Sequence, residues 1–182
     1  YPSNQNNNSN ISPITSYPEL PLITPPPPPN LLPYDRAVSI LNSITTPSIS
    51  KAVFAVLYAE ASKNKDNTAF NSAGGYNYAG VQTDAGRWGD ASSYIKARYV
   101  RKDAEIKREF AVFENNQSFL EFMVSRVTYK GFNGNNGDDW TTTYIDSWWS
   151  PKAKKEYIQG TITYNGKLSI YNSSIIKYNQ YV

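Results

Sequence analysis

The amino-acid sequence predicts an α+β domain that is mainly helical, with a small antiparallel sheet beside one central helix. Three observations favour this class. Apolar residues recur at helical spacing in several segments after residue 34, two of these segments begin with a capping residue followed by proline, and two strand-like segments between residues 94 and 113 flank a short charged stretch. A chain of 182 residues can bury the core of one such domain and still carry an appendage.

The composition excludes several classes of function. The chain has no cysteine and no histidine, which rules out disulfides, thiolate catalysis, histidine-based triads and the common zinc sites. Acid and base chemistry must therefore come from Asp, Glu, Tyr or Lys, and we expect no metal and no other cofactor. The net charge of +3 is too small to argue for nucleic acid, although it suits approach to a polyanionic surface. No apolar run is long enough to cross a bilayer, so no membrane span is expected.

The first 33 residues differ in composition from the rest of the chain. Asparagine-rich sequence leads into the consecutive prolines Pro25–Pro29, which favour an extended polyproline II spacer over a packed structure. We interpret residues 1–33 as a tether or disordered linker and residues 34–182 as the folded domain. A tail without a role and a docking ligand for an SH3-like partner are the alternatives.

Two helices are expected at the start of the domain. The first begins near Tyr34 and has apolar residues at Ala37, Val38, Ile40 and Leu41. The second has Thr46 as its N-cap and Pro47 at the first helical position, where the missing N–H costs nothing. Its inward stripe consists, at helical spacing, of Ile49, Val53, Val56, Leu57 and finally Glu60.

Glu60 is the acidic residue of greatest interest, because it falls on the apolar side of this helix, one turn from a loop. A carboxyl group in that place is expected to be partly desolvated, which favours the protonated form that a general acid needs near neutral pH. The alternative is that Glu60 only marks the exit of the helix into solvent.

A small sheet is expected after this helix. Gly74 and Gly75 mark a turn, and Tyr76–Gln82 has the pattern of a short strand. Gly80 inside that strand indicates a close approach of the backbone to a neighbour, for which a ligand is one candidate. Two further strands are predicted at Tyr94–Val100 and Ile106–Phe113.

The second half of the chain is predicted to be largely helical. A capping box at Ser118–Glu121 opens one helix, and the loop Gly131–Gly137 separates it from the next. That next helix carries Trp140, Tyr144, Ile145 and Trp148 at helical spacing. Ser150-Pro151 then opens a helix that runs through Tyr157 and Ile158. The last segment is ambiguous, because Thr161–Ile170 has the Asn-Gly turn and the alternation of a β-hairpin, while Ser173–Tyr178 could form a short helix.

The order of these segments resembles that of one enzyme family. A helix ending in glutamate, a loop and then Asn77-Tyr-Ala-Gly-Val-Gln82 look like the active-site core of the peptidoglycan glucosaminidases of the lysozyme-like superfamily, where Asn-Asn-Leu-Phe-Gly-Ile-Lys follows the glutamate. Phe110–Phe122 is similar to the family's Phe-Arg-x-Tyr-x-Ser passage, and Tyr144–Tyr157 resembles its late segment with two tyrosines. The family's Asn-Asn doublet is Tyr76-Asn77 here, Ser-Pro replaces Asp-Pro, and the final segment has no counterpart.

This resemblance implies a lysozyme-like fold and cleavage of β-1,4 bonds between the amino sugars of bacterial peptidoglycan. Glu60 would be the acid that protonates the leaving oxygen. The resemblance also implies a set of substrate-binding residues, namely Asn77, Tyr78, Gly80, Gln82 and, as the family's late tyrosine, Tyr157.

A second carboxylate could stabilise the oxocarbenium-like transition state, and the candidates are Asp84, Asp90, Asp103 and Glu105. Asp84 is preferred because it follows the expected strand that carries Gly80, although side-chain hydrogen bonding within a turn is an equally good interpretation. A second carboxylate is dispensable where the N-acetyl group of the substrate assists. Lytic transglycosylases of the superfamily are understood to act with one glutamate.

Aromatic and basic residues are the other resources. Flat faces for sugar rings could come from Tyr76, Tyr78, Trp88 and Trp140. On their helical stripe, however, Trp140 and Trp148 are better explained as core. A basic stretch interleaved with tyrosines invites nucleic-acid binding, although a solvated hairpin face is the favoured interpretation. It consists of Lys96, Arg98, Arg101, Lys102, Lys107 and Arg108.

We therefore expect a peptidoglycan-cleaving glycoside hydrolase of the N-acetylglucosaminidase or muramidase kind. It would act outside the cytoplasm, in a phage virion tail or as a secreted enzyme. Its partners would be the glycan strands of the wall and, through the tether, other virion proteins. The rival hypotheses are a structural virion or surface module that binds glycan without cutting it, and a nucleic-acid binder that uses the basic hairpin.

Overall fold

The helix Pro47–Glu60 is the element around which the domain packs, and it forms as the sequence predicts. The Thr46 side chain accepts a hydrogen bond from the Ile49 N–H at 3.4 Å, and proline occupies the first helical position. Every residue from Ala52 to Leu57 is buried, so the helix is enclosed on all sides and not only along one stripe. Three further helices pack against it: Tyr34–Ile44, Asn116–Lys130 and Tyr164–Asn179.

The computed structural model describes residues 20–83, 93–103 and 106–182, and the first part of the expected tether, residues 1–19, lies outside these ranges. In chain order the elements are β1 Asn30–Pro33, α1 Tyr34–Ile44, α2 Pro47–Glu60, β2 Ala69–Ser72, β3 Ile95–Asp103, β4 Ile106–Phe113, α3 Asn116–Lys130, α4 Gly137–Thr143, a π-helical turn Tyr144–Trp148, α5 Pro151–Ile158 and α6 Tyr164–Asn179. Within the described ranges β1 pairs with β2 and β3 with β4, both antiparallel. The prediction of a mixed chain with more helix than strand and antiparallel sheet is confirmed. No helix in this part of the chain combines the length and the apolar character that a membrane span requires.

The two strands predicted between residues 94 and 113 form a hairpin. Ala97 lies opposite Val112 and Tyr99 lies opposite Phe110 in the β3–β4 register. These four side chains are buried together, and Ile23 packs against them. The hairpin therefore has an apolar cluster of its own beside the main core.

The segment before β1 differs from the extended spacer expected for the tether, because residues 20–33 pack on the domain. The Ile23 N–H donates to the Arg98 carbonyl and the Arg98 N–H donates to the Pro21 carbonyl, both at 2.9 Å, along the free edge of β3. In β1, which pairs with β2, Leu32 is fully buried. The burial of Leu32 and the partial burial of Ile23 attach this segment to the domain, which its proline-rich composition does not predict.

The strand expected at Tyr76–Gln82 is wrong. Gly80 has a φ angle of +62°, which a β-strand does not contain. The Asn77 side chain makes hydrogen bonds that a regular strand would make through its backbone. Its amide donates to the carbonyl oxygens of Val81 at 2.9 Å and Ala111 at 3.0 Å, and its Oδ1 accepts from the Val81 N–H at 2.9 Å. Only the last residue of the segment forms an isolated bridge to β4. The segment is thus a loop that is held by the Asn77 side chain and by a backbone bond from the Ala111 N–H to the Val81 carbonyl at 2.9 Å.

The C-terminal segment forms one helix, so the β-hairpin considered for Thr161–Ile170 is wrong. The Thr163 side chain caps α6 by accepting from the Gly166 N–H at 3.0 Å, which places the Asn-Gly pair in the first helical turn. Packing against α2 and α4 decides the outcome, because Tyr171, Ser174 and Tyr178 are buried along one face. Tertiary burial here overrides a local turn signal.

The helix α3 begins earlier than the sequence predicts. Asn115, and not Ser118, is the N-cap, and its Oδ1 accepts from the Ser118 N–H at 2.9 Å. Asparagine offers the same capping chemistry as serine, so two candidates lay within one turn. The capping box is therefore wrong, whereas the helix itself is confirmed. α1, α4 and α5 also form where the sequence predicts helices, with Ser150 as the cap of α5.

Candidate active site

Glu60 is the last residue of α2, and its side chain is exposed. This exposure does not fit the expectation that packing within the domain desolvates the carboxyl, and it fits the alternative that Glu60 marks the exit of the helix into solvent. The position is nevertheless unusual for an acid, since the C-terminal end of a helix carries partial negative charge and disfavours an anion. Lys63 offsets this charge: its Nζ donates to the carbonyl oxygens of Tyr58 at 2.6 Å and Ala61 at 3.3 Å.

Tyr144 holds the Glu60 carboxyl group in place. Its hydroxyl donates a short hydrogen bond to Glu60 Oε2 across 84 residues of sequence. The ring is almost fully buried and stacks on Trp140 with 4.8 Å between centroids and 9° between planes. Burial, and next the charge of Glu60, raise the pKa of Tyr144 well above its ordinary value, so the hydroxyl stays a neutral donor. The Trp149 ring packs edge-on against the Tyr144 ring, with 5.7 Å between the centroids.

Two clefts meet at Glu60. The larger, of about 530 Å³, lies towards the π-helical turn, and the smaller, of about 280 Å³, lies towards the hairpin. Glu60 and Gly80 line both clefts. The larger cleft is also lined by Gln82, Arg108, Trp148, Trp149, Ser150 and Ala153. The smaller is also lined by Ala61, Ser62, Asn71, Ala73, Asn77, Tyr78, Tyr99, Arg101 and Phe110.

Gly80 shares with Glu60 the junction of the two clefts. A Cβ atom built at Gly80 meets no described atom within 4 Å, so close packing against the protein is not the reason for glycine. The reason within the chain is the left-handed φ of +62°, which favours glycine. Asn77 sets this conformation through its hydrogen bonds to Val81 and Ala111. Because both amide protons of Asn77 are used within the protein, it positions the loop and does not offer them to a ligand.

The other predicted substrate-binding residues have different surroundings. Tyr78 is buried, its ring packs edge-on against Phe119 and its hydroxyl donates to Asn116 Oδ1 at 2.7 Å, so it does not present a face to a sugar. Gln82 is half-buried and lines the larger cleft. Tyr157 packs edge-on against Trp149, which lines the larger cleft, but Tyr157 itself does not line it.

Several predicted acids and one aromatic lie outside the described residues. These are Asp84, Asp90, Glu105 and Trp88, and the side chain of Asp103 is not described either. Among the residues that are described, Glu60 is the sole carboxylate that lines either cleft. No three acidic side chains in the described ranges lie close enough together to hold a metal ion.

The aromatic residues at the site are partly those predicted and partly new. Trp140 is fully buried, and its indole N–H donates to the Ala52 carbonyl at 3.2 Å, which confirms it as core. Trp148 and Trp149 are half-buried in the wall of the larger cleft. The adjacent tryptophans before Ser150-Pro151 were a usable signal, since a doublet on a helix cannot have both rings on one buried face. Nothing local in the sequence pointed to the bond between Tyr144 and Glu60.

The arrangement can perform one kind of chemistry directly. A carboxyl group stands at the junction of two clefts, one of its oxygens is held by a neutral phenol, and indole rings flank it. Such a group can donate a proton to a bond that spans the junction. No protein-family model, curated protein or solved structure matches this chain.

Proposed function

We propose that the protein is a peptidoglycan-cleaving glycosidase with a lysozyme-like fold, and that Glu60 is its general acid. The observation that carries the proposal is the position of Glu60 between two adjoining clefts, with Oε2 held by Tyr144. A polymer that enters one cleft and leaves through the other passes its linkage over the carboxyl group. The sequence resemblance to the glucosaminidases supports the same assignment of Glu60.

The hydrogen bond from Tyr144 gives the two carboxyl oxygens of Glu60 different roles. Oε2 accepts from the Tyr144 hydroxyl, which leaves Oε1 to carry the proton that is transferred. Sugar rings in the clefts would displace the water around the exposed carboxyl group. The environment that a general acid needs is thus completed by the substrate.

In the first step the proton passes from Glu60 to the bridging oxygen as the bond from that oxygen to C1 breaks. The oxocarbenium-like carbon can be captured by the carbonyl oxygen of the neighbouring N-acetyl group, which needs no second carboxylate. This route fits the single carboxylate that the described cleft residues provide. Attack by Asp84, or by a water that Asp84 activates, is the alternative. We place the activity outside the cytoplasm, in a secreted enzyme or a phage virion, because its substrate lies there.

A second function is also consistent with Glu60 as the one carboxylate among the described cleft residues. A structural virion or surface module could bind glycan in these clefts without cutting it. Trp148, Trp149 and Gln82 would then serve only as binding groups, and Glu60 as a hydrogen-bond acceptor for sugar hydroxyls.

Zymography against peptidoglycan separates the two functions. We expect clearing by the wild type and by Glu114→Gln, a control at an exposed acid directly after β4, and a loss of about 10²- to 10⁴-fold for Glu60→Gln. Mass spectrometry of the released fragments then identifies the bond that is cut and whether the product is hydrolysed. Glycan binding without clearing by the wild type would support the binding module and overturn the enzyme.

A further inference from the structure

The tip of the β3–β4 hairpin carries two arginines in a direct cross-strand pair. Arg101 lies opposite Arg108, one step beyond the pair of Tyr99 and Phe110. Directly opposite residues of an antiparallel pair project to the same face, so the two guanidinium groups share a face of the hairpin. The next pair in the register is Lys102 opposite Lys107.

This arrangement disfavours the hairpin, because like charges directly opposite each other repel. Earlier in β3, Arg98 has a counter-charge, because it forms an ion pair with Glu109 at 3.2 Å. Among the described residues the structure shows no ion pair for either Arg101 or Arg108. A pair of like charges that costs stability, and for which the described residues supply no counter-charge, is a candidate site for an anionic partner from outside the protein.

Both arginines face the clefts at Glu60. Arg101 lines the smaller cleft, where its guanidinium lies over the Phe110 ring at 4.6 Å from the centroid and is oriented by that contact. Arg108 lines the larger cleft beside Gln82 and the tryptophans. One cation therefore stands on each side of the acid. A planar guanidinium matches the two oxygens of a carboxylate.

We propose that Arg101 and Arg108 bind carboxylates on the substrate, so that the protein selects an acidic glycan strand over a neutral one. This inference rests on the proposed function and narrows its substrate class. In peptidoglycan every second sugar carries a lactyl group. Its carboxylate is free or is linked to a peptide that carries carboxylates of its own, and either source presents the same chemistry to an arginine. Two residues of the basic stretch, Arg101 and Arg108, then bind substrate, whereas Lys96 and Lys107 are exposed outside both clefts.

Binding in a Glu60→Gln background tests this selection without turnover. Three probes are titrated, with the fluorescence of the cleft tryptophans as the signal: a neutral N-acetylglucosamine hexasaccharide, peptide-free peptidoglycan strands, and strands with peptides attached. We expect the acidic strands to bind about tenfold or more tightly than the hexasaccharide, because charge-assisted hydrogen bonds exceed neutral ones. Preference for the peptide-free strand identifies the lactyl carboxylate as the group recognised, and preference for the intact strand identifies the peptide.

Two double variants show whether the cleft face is responsible. Arg101→Gln with Arg108→Gln should abolish the preference for acidic strands. Lys96→Gln with Lys107→Gln removes the same charge from exposed positions that line neither cleft and should retain it. Equal affinity of the three probes, equal loss in both double variants, or tighter binding to an oligonucleotide than to any glycan would overturn the inference. If the wild type cleaves no glycan while selection by the arginines persists, the enzyme proposal fails and this inference stands.

Discussion

Replacing Tyr144 by phenylalanine is expected to lower the free energy of unfolding by about 1 to 2 kcal/mol. Phenylalanine keeps the ring that stacks on Trp140, so packing is retained. The loss is the hydroxyl that donates to Glu60 Oε2. A hydrogen bond to a charged acceptor contributes more than the average bond, but Glu60 is exposed and water competes for it, which places the effect low in the range for charged groups.

A double-mutant cycle in urea unfolding measures this bond directly. Tyr144→Phe and Glu60→Ala are made singly and together, and we expect a coupling energy of about 1 kcal/mol. Tyr171→Phe is the matched control, because its hydroxyl is also buried and bonds to the Gly134 carbonyl at 2.7 Å instead of to Glu60. The control should be additive with Glu60→Ala. If Tyr144→Phe is as additive as Tyr171→Phe, to within about 0.5 kcal/mol, the link between Tyr144 and Glu60 is absent in solution.

Three other predictions concern the fold and use the same unfolding measurement. Gly134→Ala should cost about 3 kcal/mol or more, since its Cβ would lie 1.9 Å from the Ser48 carbonyl oxygen, and a cost below about 1 kcal/mol would refute this close approach. Burial raises the pKa of Tyr34 and Tyr144 above the ordinary value of about 10. The stability that these two groups contribute is therefore complete below about pH 10 and is lost as the pH rises beyond it. A urea midpoint of unfolding that stays constant to about pH 11.5 would contradict this. Thr163→Ala should cost about 1 kcal/mol and speed amide exchange in the first turn of α6, whereas a hairpin in that segment predicts no effect on exchange there.

The parts of the fold that could be predicted are those specified by local signals. The start of α2 follows from Thr46 and Pro47, and the β3–β4 hairpin follows from alternation on either side of a charged turn. The C-terminal helix could not be predicted in this way, because its Asn-Gly pair reads as a hairpin turn until the burial of Tyr171 and Tyr178 against α2 and α4 is known.

The residues of the candidate site were likewise predictable from the sequence only in part. Glu60 was identified from helical spacing, but its exposure depends on where the following loop goes. Asn77 and Gly80 were identified from a motif, yet their interpretation as a strand was wrong because side-chain hydrogen bonds and a positive φ are invisible to a pattern of polar and apolar residues. The pairing of Tyr144 with Glu60 joins elements 84 residues apart, and only tertiary structure can reveal it.

The pairing of residues 21–23 with Arg98 also bears on how the protein behaves at high concentration. An uncovered strand edge invites a second molecule to add its own strand, which is a common route to aggregates. Here the Pro21 carbonyl and the Ile23 N–H occupy that edge, and the prolines that follow have no N–H to extend the ladder further. Removing residues 21–29 would therefore expose this edge of β3 to self-association, even if the remaining domain folded normally.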